Sequence, residues 1–135
     1  MTPAQIETAR RAMALPGFKV VGGTLFVSGP PPGMGPPGEA LRSSAPTHRV
    51  DDDAVDTLEM LQQLGWIIRF DDPTGATDGA ILRMLGPGWD VWVGATGASV
   101  TRSLSWGNVV YRGATLAEAC CLCAIDIGRW PGGTG

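Results

Sequence analysis

The chain has 135 residues, 44% of them hydrophobic and 17% charged, with a formal net charge of −3. That length and apolar content allow one domain with a real core and exclude a disordered chain. The mild acidity disfavours direct nucleic-acid binding, which needs a basic surface to displace counterions from phosphates, and it is too weak for a nucleic-acid mimic.

Thr2-Pro3-Ala4-Gln5 has the pattern of a helix start, with Thr2 as cap, Pro3 at the first helical position and Gln5 closing a capping box. Ile6, Ala9 and Met13 follow at helical spacing, and Pro16-Gly17 ends the run. No basic start precedes an apolar core here, so a secretion signal is not expected, and no apolar run is long enough to span a bilayer. Phe18–Val21 and Leu25–Ser28, joined by Gly22-Gly23-Thr24, read as a hairpin. The Pro/Gly-rich stretch from Gly29, continuing as a loop to Thr47, reads as an extended spacer, with a proline-rich docking peptide as the alternative. The single histidine, His48, reads as a surface loop residue.

Val55, Leu58, Leu61 and Leu64 repeat every three residues on one helical stripe, and Gly65 closes it. Asp51-Asp52-Asp53 in front of it read as cap and first-turn carboxylates favoured by the helix dipole, rather than as a metal site. Trp66–Phe70 reads as a strand, followed by a turn at 71–75. Residues 80–85 are ambiguous between helix and strand; their residue types and the Gly86-Pro87 stop favour a short helix.

Residues 89–128 organise the rest. Trp89-Val91-Val93, Val100-Arg102-Leu104 and Val109-Tyr111 alternate with their neighbours at the period of two that marks strands. Gly113-Ala114 breaks the last strand, Thr115 and Glu118 form a second capping box, and Gly128 is the natural left-handed stop. Arg129-Trp130-Pro131 and the glycines after it, 129–135, read as a flexible tail. The fold class expected is α+β, a single domain with helices packed on the faces of an antiparallel sheet of about four to six strands.

The order of elements from Asp51 to Gly128 resembles the phage ABA sandwich domain, a family of small phage and prophage proteins. The likeness is carried by Leu64-Gly65-Trp66 at a helix-to-strand junction, by the tryptophan-led strand Trp89-Asp90-Val91-Trp92-Val93, and by Gly113-Ala114-Thr115-Leu116-Ala117-Glu118-Ala119-Cys120 opening the last helix. The proline-rich segment and the long stretch between Phe70 and Trp89 depart from the family pattern. The resemblance implies an antiparallel sheet between helical layers and a phage accessory gene acting in the host cytoplasm. It brings no catalytic residues.

Cys120-Cys121-Leu122-Cys123 holds a Cys-x-x-Cys, but further zinc ligands at suitable spacing are missing and His48 is remote in sequence. Redox pairs usually lie where a helix begins, whereas these cysteines lie a turn or more inside. They read as small core side chains on a stripe with Leu116, Ala119 and Ile127, Cys121 lying off the stripe, and they fit a reducing, intracellular setting. The Gly94–Ser99 stretch lacks the Gly-Lys-Ser/Thr ending of a phosphate loop and reads as a hairpin turn. No acid, base, nucleophile or metal cluster converges in sequence, so an enzyme is not expected and no cofactor is implied.

The candidate binding residues are Trp92, Arg102, Trp106 and Arg112. If helices cover both faces of the sheet, these can be core. If one face is open, tryptophan and arginine together make a surface able to stack on planar groups and to pair with phosphate or carboxylate. The expected function is binding to a host protein, as an antagonist of antiviral defence; the alternatives are a binder that sequesters a small nucleotide ligand, with a homo-oligomer as its expected form, and an enzyme whose site is not recognised.

Overall fold

The computed structural model describes residues 2–18, 25–28, 47–50, 63 and 65–134. The described elements are α1 (Pro3–Met13), β1 (Leu25–Ser28), β2 (Thr47–Val50), β3 (Ile67–Ile68), α2 (Ala76–Leu85), β4 (Asp90–Gly94), β5 (Gly97–Leu104), β6 (Gly107–Gly113), α3 (Leu116–Ile127) and a 3-10 turn (Pro131–Thr134). The fold class is α+β, as expected, but the six described strands form two sheets rather than one. Their orders are β2-β1-β3 and β4-β5-β6, antiparallel throughout.

Local chemistry sets the helix ends. At α1 the capping box is complete: Gln5 N–H donates to Thr2 Oγ1 at 3.2 Å and Thr2 N–H donates to Gln5 Oε1 at 2.8 Å. At α3 Thr115 accepts from Glu118 N–H at 3.4 Å, but Glu118 reaches one residue further back than a capping box requires, accepting from Ala114 N–H at 3.1 Å. Its second oxygen accepts from Gln5 Nε2 at 2.8 Å and ties the starts of α1 and α3 together. Gly128, at φ +90°, ends α3 in the left-handed region that disfavours a side chain. Residues 76–85 resolve as helix α2, whose N-terminus is held by Asp72. That carboxylate accepts from the N–H and hydroxyl of both Thr74 and Thr77 at 2.8–3.0 Å.

α3 packs against β5 and β6 on one side and against α1 and α2 on the other; α1 then meets β3 and α2 meets β1. The helices thus lie between the two sheets, and one hydrophobic cluster runs through all these layers. The position of α3 explains a correction. Cys121 is as fully buried as Cys120 and Cys123, not a residue off the stripe, because α3 is flanked by α1 and α2 as well as by β5 and β6 and so buries more than one stripe.

The tail expectation also fails at its first apolar residue. Trp130 is 0% exposed, its Nε1–H donates to Ala12 O at 2.9 Å, its backbone N–H donates to Pro16 O at 2.9 Å, and its ring lies 5.9 Å from that of Phe18. A tryptophan able to bury its whole ring and satisfy its one polar group outweighs the cost of ordering the residues around it. Thr47 and His48 lie in strand β2 rather than in a loop. The helix expected at 55–64 and the triple aspartate fall almost wholly outside the described residues, as do positions 29–46 and residues 19–24 of the expected hairpin. Leu25–Ser28 itself is the middle strand of its sheet, with β2 and β3 as neighbours. No helix among the described residues is long and apolar enough to cross a membrane.

Candidate binding surface

Two short turns fix which side chains share a face of the β4-β5-β6 sheet. Ala95-Thr96 joins β4 to β5, and Ser105-Trp106 joins β5 to β6, so Gly94 pairs with Gly97 and Leu104 with Gly107. Counting back from those turns, Trp92 opposes Ser99, and Ser99 opposes Arg112. These three form one row across the sheet, with Ser99 midway between Trp92 and Arg112 and a span of roughly 10 Å between the outer strands. Asp90, Thr101 and Val110 form the next row on the same face, and Ser103 with Asn108 lies beyond them.

None of the described helices has its main contacts on this face. Trp92 is 56% exposed, Val110 is 45% exposed, and Arg112 is exposed. The opposite face is the one α3 covers: Ala98, Val100 and Tyr111 lie there and are buried. The open-face alternative is therefore the one that holds for Trp92 and Arg112.

Arg102 does not join them. It is one step out of parity with Ser99 on β5 and so points to the α3 side, where its guanidinium lies 4.0 Å from the Asp126 carboxylate. Tyr111 donates a short hydrogen bond to the same carboxylate. Burial, then that bond, raises the Tyr111 phenol above its ordinary value. Arg102 is thus part of the packing between sheet and helix. Trp106 stands at the tip of the β5–β6 turn, 74% exposed, and belongs to neither face. Of the four expected binding residues, the fold brings Trp92 and Arg112 together and separates Arg102 and Trp106 from them.

A shallow groove of about 450 Å³ opens where the Trp92 row meets the first turn, lined by Trp92, Thr96, Ser99 and Arg112 and by the backbone of Gly97, Ala98 and Gly113. One glycine shapes it. The Trp92 indole lies so close over Gly94 that any Cβ there would collide with the ring. The ring therefore reaches along its own strand over Gly94, beside the groove that it lines. Arg112 has no hydrogen-bonded or ion-pair partner among the described residues, so its guanidinium fork is available to a ligand. An indole on one side, a guanidinium on the other and a small hydroxyl between them can stack on a planar group while pairing with a phosphate or carboxylate attached to it.

No known protein family, curated protein or solved structure matches the chain.

All three cysteines are free thiols, buried, and pushed up by desolvation, Cys120 to about 12 and Cys123 to about 11, away from the thiolate form that a nucleophile needs. Among the described residues no group of three or more His, Cys, Asp or Glu side chains converges. Sequence reasoning missed Ser99, Thr96 and Gly94. The signal was present, because two-residue turns set the pairing and hence the parity of every residue on the three strands.

Proposed function

We propose that the protein acts by binding rather than by catalysis, through the open face of the β4-β5-β6 sheet around Trp92, Ser99 and Arg112. The observation that carries this reading is the half-exposed Trp92 in one cross-strand row with Arg112, a guanidinium without a partner among the described residues. Exposing a tryptophan to water has no benefit for folding, whereas Trp and Arg together are the residue types that dominate binding hot spots. The partner that fits is one presenting a planar or apolar group beside a negative charge. In the setting implied by the resemblance to phage accessory proteins, that partner is a host protein in the host cytoplasm, and the outcome is antagonism of an antiviral defence; this setting rests on the resemblance alone.

A second reading, sequestration of a small nucleotide, is favoured by the size of the groove, which lies within the range of small-ligand sites. The test is to incubate purified protein with cell extract, reisolate it, and release bound material by heat. An intact nucleotide in the released fraction supports sequestration, and a stoichiometric host protein retained on the column supports direct inhibition. Trp92→Ala and Arg112→Ala should each abolish either signal, while Arg102→Ala, altered on the other face, should leave it. A chemically altered product formed with turnover, or binding that survives both open-face substitutions, would refute the proposal.

A further inference from the structure

Five large hydrophobic side chains are conspicuously exposed among the described residues, and three of them are consecutive: Val91 at 40%, Trp92 at 56% and Val93 at 63%. Consecutive residues of a strand point to opposite faces. A partner lying on either face of the sheet would therefore cover Trp92 or the two valines, never all three. Only a partner that meets β4 along its edge touches every one of them. β4 is an end strand, with β5 on one side and no described strand on the other. α3 packs on β5 and β6, while Val91 and Val93, on the inner side of β4, stay exposed.

The edge lacks the features that keep strands from pairing with other chains. β4 contains no lysine, no proline and no bulge, and Asp90 at its start is its only charge. We propose that β4 is the pairing edge for a second copy of this chain, joined antiparallel about a two-fold axis at Trp92.

The occupant follows from the strand's own order. Asp90-Val91-Trp92-Val93-Gly94 is a palindrome in its three central residues. Turned about Trp92, each Val91 faces the other copy's Val93, and the two tryptophans meet at the centre. Each Asp90 then faces a Gly94, so the two like charges stand at opposite ends of the pair, roughly 14 Å apart. A two-fold interface has to be self-complementary, and this one is, in shape and in charge. On the inner side a groove lined by Leu82, Trp89 and Val91 and by Gly86 and Gly88 runs beside the edge and can receive the second copy's valines. Complete burial of Val91, Trp92 and Val93 in both copies would remove roughly 700 Å², less than a standard specific interface, so the dimer is weak and concentration-dependent. The outer rows then join into one line, Arg112-Ser99-Trp92 meeting its two-fold copy, so that the open faces of both copies lie on the same side of one continuous sheet.

Sedimentation velocity over a dilution series should show a monomer–dimer equilibrium. Val91→Lys with Val93→Lys should be monomeric at every concentration, and so should Val91→Glu with Val93→Glu. Mixing the two should restore a one-to-one heterodimer, because each lysine then faces a glutamate. Circular dichroism melting checks that both variants are folded, as expected for exposed positions. Independently, Trp92→Cys should give a disulfide-linked dimer under mild oxidation, since opposed Cα atoms in an antiparallel pair lie within disulfide range and the three natural thiols are buried. A wild-type chain that stays monomeric throughout, as it would if the edge served a different protein, overturns the proposal. So does failure of the lysine and glutamate variants to recognise one another, or cross-linking at Trp106→Cys but not at Trp92→Cys. Arg112→Ala should leave the dimer intact, which separates this inference from the binding role of the open face.

Discussion

Trp130→Ala tests the C-terminal anchor most directly. The side chain is wholly buried, and its ring fills the space between the end of α1, Pro16 and Phe18. Truncating a buried tryptophan to alanine costs about 3–5 kcal/mol in lost transfer energy and residual cavity. The Nε1–H bond to Ala12 O contributes about 1 kcal/mol. The carbonyl keeps a second donor, Leu15 N–H at 3.3 Å, so removing the indole does not orphan it. The total therefore sits near the top of the truncation range, about 4–5 kcal/mol, and not beyond it. Trp130→Phe keeps most of the ring and loses the donor, at about 1–2 kcal/mol. For a chain of this length each kcal/mol moves the melting temperature by about 3–5 °C, so Trp130→Ala should melt about 12–25 °C below the natural chain. A chain ending after Gly128 should behave like Trp130→Ala. Urea and thermal unfolding followed by circular dichroism decide it. A truncated chain that melts within about 3 °C of the full one would refute the anchor.

The three cysteines should respond alike: Cys120→Ser, Cys121→Ser and Cys123→Ser are each expected to destabilise by about 1–3 kcal/mol, through burying a poorly matched hydroxyl. Under native conditions all three thiols should resist a thiol reagent until the protein is unfolded; fast labelling of Cys121 in the folded state would contradict its burial. Burial pushes the Asp72 carboxyl up, but hydrogen bonds from Thr74 and Thr77 outweigh that and hold it below its ordinary value of 3.8. Its folded form binds a proton less readily than its unfolded form, so its contribution to stability is complete above about 3.8 and is lost as the pH falls through the lower folded value. Asp72→Asn should therefore be less stable at neutral pH and show a shallower acid limb than the natural chain; an unchanged acid limb would count against the cap. Gly94→Ala should shift the melting temperature little, because Trp92 is exposed and can turn aside. The same change should weaken ligand binding at the open face as much as Trp92→Ala does; equal binding would show that the ring's placement over Gly94 is irrelevant.

Much of the local structure was legible in the chain. Thr2 and Gln5, Thr115 and Gly128 mark their helix ends by hydrogen-bonding groups within a few residues, so no distant partner is needed to place them. The strands from β4 to β6 were readable for the same reason, since alternation and two short turns are properties of adjacent residues. Even the separation of Arg102 from Trp92 and Arg112 was written there, in the parity that two-residue turns impose. What adjacency could not decide was coverage. A strand's alternation says that it has two faces, and nothing in the strand says which face a helix will occupy. Val91 and Val93 carry the residue types of a core, yet α3 packs on β5 and β6 and leaves them in water. Cys121 lies off the apparent stripe, yet it is fully buried, because α3 meets helices as well as the sheet. Trp130 follows a helix stop amid glycines and proline, where local signals mark a chain end, yet a cleft beside α1 holds it by its ring and its one polar group. Propensity and capping act over a few residues and so are fixed by sequence. Burial depends on how much apolar surface distant elements remove from water together, and only the assembled tertiary structure sets that.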